Sequence, residues 1–185
     1  DKSMVSHRLG YRDLGYENGA LHSIHTPFFN DSKSTIESWI IPLGGAHVRI
    51  HKVILSQPYY VMEGGFAVGR WDDYCLKERE DGFAKVSGRE YVSALKVVCR
   101  QGVMCETDIG RTQAGYHLYA PLAEYPMYTT NKPLEAGEYL FASAFSLSRK
   151  DEDQPFLPDF RFVGELVEIM QPGQKKLIVN TDQVS

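Results

Sequence analysis

The chain has 185 residues, of which 43% are hydrophobic and 24% charged, the make-up of a globular protein long enough for a sizeable core. Its formal net charge of -4 argues against a nucleic-acid binder driven by counterion release. No apolar run approaches the ~20 residues of a membrane-crossing helix, so no membrane partner is expected.

Strand signals dominate in chain order. The opening on Asp1, without a starting methionine or signal peptide, reads as a processed or excised piece, and the compartment stays open. MVSHRLGYRDLGYENG (residues 4–19) alternates and ends on Asn18-Gly19, a strong hairpin turn. LHSIHTPFF places His22 and His25 three apart, which sends them to opposite faces of a strand. STIESWIIPL (34–43) runs through Gly44-Gly45 into GGAHVRIHKV (44–53). PYYVMEGGFAVGRW (58–71) follows as further strand, and KEREDG (77–82) reads as a charged, solvated turn. REYVSALKVVCRQGVMCETDIG (89–110) reads as a hairpin turning near Gln101-Gly102. More strands follow on either side of Pro133 and Gly137, His117 lies among tyrosines as an expected sheet residue, and 149–155 is a polar loop. GELVEIM has some helical propensity, but Phe160, Phe162 and Val163 beside it favour strand, with a Pro172-Gly173 hairpin after it. Many short strands with frequent Gly and Pro turns predict one all-β domain over 1–185, an antiparallel β-sandwich, with loose ends at 1–3 and 181–185. Cys75, Cys99 and Cys105 lack the spacing of a disulfide framework or a zinc site and are expected as buried or half-buried thiols.

The segment that carries chemistry is GGAHVRIHKV. Ala46, Val48 and Ile50 alternate with His47, Arg49 and His51, so a strand puts the three basic residues on one side, away from an apolar interior. A metal held by His47 and His51 alone is not expected, because four strand residues span about 13 Å at about 3.3 Å each, and either histidine stays open as a ligand together with groups from elsewhere in the chain. No metal or other cofactor is expected. An anion suits the strip better: Arg49 offers a planar fork for a carboxylate, and the histidines add donors that titrate near neutrality. A uronic acid is one such partner. The competing expectation is a solvated face, or pairing with Glu63 or Asp108 that ties strands together. Glu63, beside Gly64-Gly65, is the candidate general acid or base, with a structural role as partner of Arg49 or His51 equally open. Trp71, Tyr59 and Tyr60 can stack on sugars, although aromatic residues on sandwich strands more often fill the core.

The stretch ESWIIPLGGAHVRIHKVILSQPYYVMEGGFAV (37–68), above all its His-Val-Arg-Ile-His strand and Glu-Gly-Gly-Phe-Ala motif, resembles the C-terminal β-sandwich of a two-domain family formerly of unknown function. NKPLEAGEYLFASAF (131–145) resembles the late strands of that module. The family's N-terminal part is an (α/α) toroid similar to heparinase II/III-type and alginate lyases. The family's asparagine-rich stretch before the late strands is replaced here by GYHLYAPLAEYPMY, so no site contact is carried over to residues 115–128.

The resemblance implies a partner toroid in the same protein and an acidic polysaccharide or oligosaccharide as substrate, with glucuronidase-like hydrolysis or lyase chemistry beside a carboxylate. It places His47, Arg49 and His51 toward the toroid at the rim of the cleft; Trp71 is a further candidate sugar contact by residue type. A hydrolase needs two carboxylates flanking the scissile bond, and only Glu63 can be nominated, so the isolated chain is expected to lack catalysis. The alternatives are a free-standing carbohydrate-binding module, with Trp71 or Tyr60 as its platform, and a purely structural domain, with His47 and Arg49 in sandwich-internal hydrogen bonds.

Overall fold

The computed structural model of the chain describes residues 11–17, 19–26, 31–68, 76–80, 82–113, 122–153 and 156–182. Among them there is no helix. The strands are β1 (Tyr11–Glu17), β2 (Ala20–His25), β3 (Thr35–Leu43), β4 (Ala46–Leu55), β5 (Met62–Gly64), β6 (Leu76–Glu80), β7 (Phe83–Ser87), β8 (Tyr91–Cys99), β9 (Cys105–Gln113), β10 (Leu122–Thr130), β11 (Gly137–Arg149), β12 (Asp159–Val163), β13 (Leu166–Met170) and β14 (Leu177–Asn180). All ladders between them are antiparallel. The fold is the β-sandwich that the turn-punctuated strand pattern predicts.

The sandwich is built on one large sheet of order β1-β2-β3-β4-β11-β8-β7-β6, flanked by two small sheets, β5-β10-β9 and β12-β13-β14. Strand alternation decides which residues meet which layer. Val48 and Ile50 of β4 share a face with Leu140, Ala142 and Ala144 of β11, and these pack with Val167 and Ile169 of β13 in one core. The opposite face carries Val53 and Leu55 with Phe141, Phe145, Leu95 and Val97, packed with Tyr128 of β10 in a second core. The large sheet is therefore apolar on both faces near its centre, which a single-sided alternation does not anticipate.

Three local expectations change. The stretch 89–110 is not a hairpin: β8 pairs with β7 and β11, while β9 pairs with β10. The turn at Cys99–Gly102, closed by the Gly102 amide on the Cys99 carbonyl at 3.1 Å with Gly102 at φ 65°, carries the chain from one sheet to another. Lys77–Glu80 is strand rather than turn, with Arg79 paired to Asp108 of β9 at 2.7 Å. Thr181 is buried rather than loose, its hydroxyl donating to the Glu165 carbonyl at 2.8 Å. GELVEIM contains the turn at Gly164 and then β13, so the aromatic and β-branched flanks prevail over helical propensity. Ion pairs of Lys96 with Asp159 and of Arg100 with Glu165 tie the large sheet to the β12–β14 layer.

Candidate functional site

β4 holds His47, Arg49 and His51 on one face, and β5 brings Glu63 to them. Glu63 stands opposite Tyr128 in the β5–β10 ladder, so both side chains enter the space between the small and large sheets. Arg49 Nη1 donates to Glu63 Oε1 at 2.8 Å, and His51 Nε2 lies 3.0 Å from the same oxygen. The other oxygen, Oε2, accepts from the Tyr128 hydroxyl at 3.1 Å and the Ser143 hydroxyl at 2.9 Å. Ser38 Oγ lies 2.8 Å from His51 Nδ1 and fixes the far side of that ring. The partner expected as an alternative, Asp108, instead belongs to Arg79.

The Glu-Gly-Gly motif makes this approach feasible. A Cβ on Gly64 would stand 2.7 Å from the Tyr125 ring, and one on Gly65 would stand 3.0 Å from Phe145 and 3.2 Å from Pro126. The backbone of residues 64–65 thus passes between Tyr125 and the large sheet, so closely that a side chain at Gly64 would require the Tyr125 ring to shift and one at Gly65 would press on Phe145 and Pro126.

The electrostatics follow from this packing. Burial alone would raise the Glu63 carboxyl, but the charges and hydrogen bonds of His51 and Arg49 outweigh it and bring its pKa down to about 2. The Tyr128 hydroxyl is pushed well up, by burial and then by the neighbouring Glu63 charge. His47 is pushed down, by burial and then by Arg49, with Glu63 partly opposing. Its tautomer is fixed by geometry: Arg49 Nε–H donates to His47 Nε2 at 3.0 Å, so Nε2 carries the lone pair and Nδ1 the proton. The His47 ring stacks on Phe145 at 5.4 Å and meets Phe66 edge-on at 5.1 Å, and the Arg49 guanidinium lies 4.4 Å above Phe145.

The three basic side chains thus project together, as alternation predicts, but into an inter-sheet space rather than away from the interior. Arg49 keeps 26% of its side chain exposed, and among the described residues its Nη2 has no partner. Glu63, the expected acid or base, is 14% exposed and holds four donors on its two oxygens, the environment of a counter-ion. His25 shares the face of His51 and is pushed down by burial and then by His51. His22 lies on the opposite face, stacked on Trp39 at 4.6 Å and bonded to Glu37 at 2.7 Å. Tyr59 bridges to Leu134 and packs on the second core, while Trp71, His117 and Cys75 lie outside the described residues. Cys99 and Cys105 are half-buried thiols, both pushed up by burial. Tyr128, Ser143 and Ser38 were not anticipated, because strand register, which no local motif encodes, brings them in.

No sequence-family model and no curated protein matches the chain. Solved structures do. The chain resembles a heparan sulfate lyase from Pedobacter heparinus with a TM-score of 0.65 at 10% identity, over 92% of this chain and 28% of that one. A mutant of that lyase gives 0.63 at 12% identity, over 91% and 27%. A heparinase III gene product gives 0.62 at 12% identity, over 92% and 27%. The chain therefore shares its fold with about a quarter of the length of heparinase-type chains, which is the relationship that residues 37–68 suggested at the level of fold.

Proposed function

We propose that this chain is the β-sandwich module of a polysaccharide-degrading enzyme, seated beside a helical toroid of the same polypeptide, with Arg49 and His47 at the rim of a cleft for a uronate-bearing glycan. The observation that carries this reading is the Arg49–His47 pair at the margin of the β5–β10–β9 layer, on a fold shared with part of heparan sulfate lyases. Arg49 Nη2 supplies charge and two N–H donors to a uronate carboxylate, and neutral His47 adds its Nδ1–H. Neutralising that carboxylate acidifies the adjacent C–H, which favours elimination. Hydrolysis would require a pair of available carboxylates, and Glu63 is bonded on both oxygens. In this reading Glu63 holds Arg49 and His51, and Trp71 remains a candidate sugar contact.

The test is turnover of glucuronate-containing polysaccharide by the parent polypeptide, followed by the ultraviolet absorbance of unsaturated uronate and by new reducing ends. Both signals support elimination, whereas reducing ends alone mean hydrolysis. Arg49→Ala should lower kcat/KM at least about tenfold, equivalent to ~1.4 kcal/mol of transition-state stabilisation. A smaller loss, or turnover by the 185-residue chain alone, sinks the proposal. A second reading, a purely structural module, is favoured by the bonds from Arg49 and His51 to Glu63 across the two sheets. It predicts that Arg49→Ala lowers stability and leaves turnover per folded molecule unchanged.

A further inference from the structure

Between β8 and β9 the chain crosses from the large sheet to the β5–β10–β9 sheet, and a cysteine stands at each end of the crossing. Cys99 ends β8 opposite Phe141 of β11, so its side chain lies on the face of Leu95 and Val97, toward the small sheet. Cys105 begins β9 opposite the buried Thr130, on the side of β10 that carries Tyr128, toward the large sheet. The two thiols therefore enter one inter-sheet space from facing layers, and both pack against the second core. The corner between them is drawn in and anchored on both sides. The Gly102 amide bonds back to the Cys99 carbonyl at 3.1 Å, the Arg100 amide to the Leu140 carbonyl at 2.9 Å, and the Asn131 amide to the Met104 carbonyl at 3.2 Å. Val103 is a neighbour common to both sulfurs. Its carbonyl accepts from Cys105 Sγ at 3.8 Å, and its amide bears on the Cys99 thiol.

We infer that Cys99 and Cys105 are a disulfide-forming pair, and that the bond staples the large sheet to the β5–β10–β9 sheet at the edge of the second core. The oxidant is a disulfide, met by thiol–disulfide exchange. One protein thiol loses its proton and its sulfur attacks the disulfide, giving a mixed disulfide and one expelled thiolate, which takes up a proton. The second protein thiol loses its proton and attacks the mixed disulfide, closing the Cys99–Cys105 bond and expelling the second thiolate. Two electrons and two protons leave the protein, and one disulfide becomes two thiols. The surroundings suit a structural bond rather than a redox catalyst. Burial first and Cys99 second push the Cys105 thiol up to about 12, and burial also pushes Cys99 up. Thiolate is scarce in the folded chain, so oxidation there is slow, and reopening the bond would expel a thiolate into a desolvated space.

The experiment unfolds the reduced 185-residue chain in urea and refolds it with reduced glutathione alone or with oxidised glutathione in excess. Trypsin separates the three cysteines into residues 71–77, 97–100 and 101–111. Digestion without reductant should join 97–100 to 101–111, with a mass two hydrogens below their sum, only after refolding with the oxidant. The oxidised chain should melt roughly 5 °C above the reduced one, and this difference should vanish in Cys99→Ser and persist in Cys75→Ser. The peptide map of the wild type decides the pairing even where a variant folds poorly. Free thiols or glutathione adducts at Cys99 and Cys105, or a bond from either to Cys75, overturn the inference. A Cys99–Cys105 bond that leaves the melting temperature unchanged or lowers it also overturns it, since such a bond forms at the expense of native packing.

Discussion

Replacing Glu63 with glutamine separates the charge of this carboxylate from its hydrogen bonds. The amide oxygen can still accept from Arg49 and His51, and the amide N–H groups can donate to the Tyr128 and Ser143 oxygens, since a hydroxyl both donates and accepts. What disappears is the negative charge facing Arg49 and His51. A carboxyl whose pKa falls from 4.5 to about 2 on folding contributes about 3 kcal/mol at pH 7. Breaking a buried ion pair on one side independently gives ~3–5 kcal/mol, and the 14% exposure of Glu63 places it near that regime. The sign is that of a depressed acid: its stabilisation is complete above about pH 4.5 and is lost as pH falls toward 2. Urea denaturation of the wild type and Glu63→Gln at several pH values should show a gap of about 3 kcal/mol at pH 7 that closes across that window. A gap below ~1 kcal/mol, or one independent of pH, refutes the counter-ion assignment.

Other expectations follow from single contacts. Gly110→Ala would place a Cβ 2.3 Å from the Tyr125 ring and should cost about 1–3 kcal/mol, with Tyr125→Ala in the same chain recovering part of it in a double-mutant cycle. Arg100 donates to the Gly164 carbonyl at 3.0 Å and to Glu165 at 2.6 Å, so Arg100→Ala should speed amide exchange in β12–β14 while β4 and β11 stay protected. His25 and His47 are both pushed below their ordinary pKa of 6.5, so the unfolded chain binds more protons than the fold as pH falls below about 6.5. Thermal unfolding should therefore shift downward from pH 7 to pH 5, and His25→Gln should reduce that shift. An unchanged slope would show that His25 does not titrate between the two states.

Part of the site is legible in the sequence because strand period is local. His47, Arg49 and His51 share a face for the same reason that Val48 and Ile50 share the other, and the two glycines after Glu63 announce a close backbone approach. Sequence spacing does not carry the covering layer. Whether a side of β4 faces water or a second sheet depends on β5 and β10, and the Glu63–Tyr128 and Arg49–Ser143 juxtapositions are set by ladders between distant segments. The misread hairpin at 89–110 has the same origin. Turn chemistry at Gly102 is equally compatible with strands that pair and with strands that part into two sheets, and the pairing of β8 with β11 decides it. Local propensity also leaves GELVEIM ambiguous, and the ladder of β12 with β13 resolves it.

The position of the polar cluster is itself a consequence of layer geometry. Along β4 the face of His47, Arg49 and His51 continues as Val53 and Leu55 with no change of pleat, so the switch from polar to apolar reflects what lies above it. Val53 and Leu55 sit within the second core, where a charge would be desolvated without compensation. Arg49 lies under β5, the margin of the covering sheet, where the guanidinium can hold Glu63 on one side and keep Nη2 on the other. A single carboxylate serving two bases must be held from behind, and the Tyr128 and Ser143 hydroxyls do so from the small and large sheets respectively. Internal pairing and outward donation are thus two sides of one guanidinium. Arg49→Lys separates them, because an ammonium can retain one bond to Glu63 but cannot reproduce the planar fork that also reaches His47 and the open face.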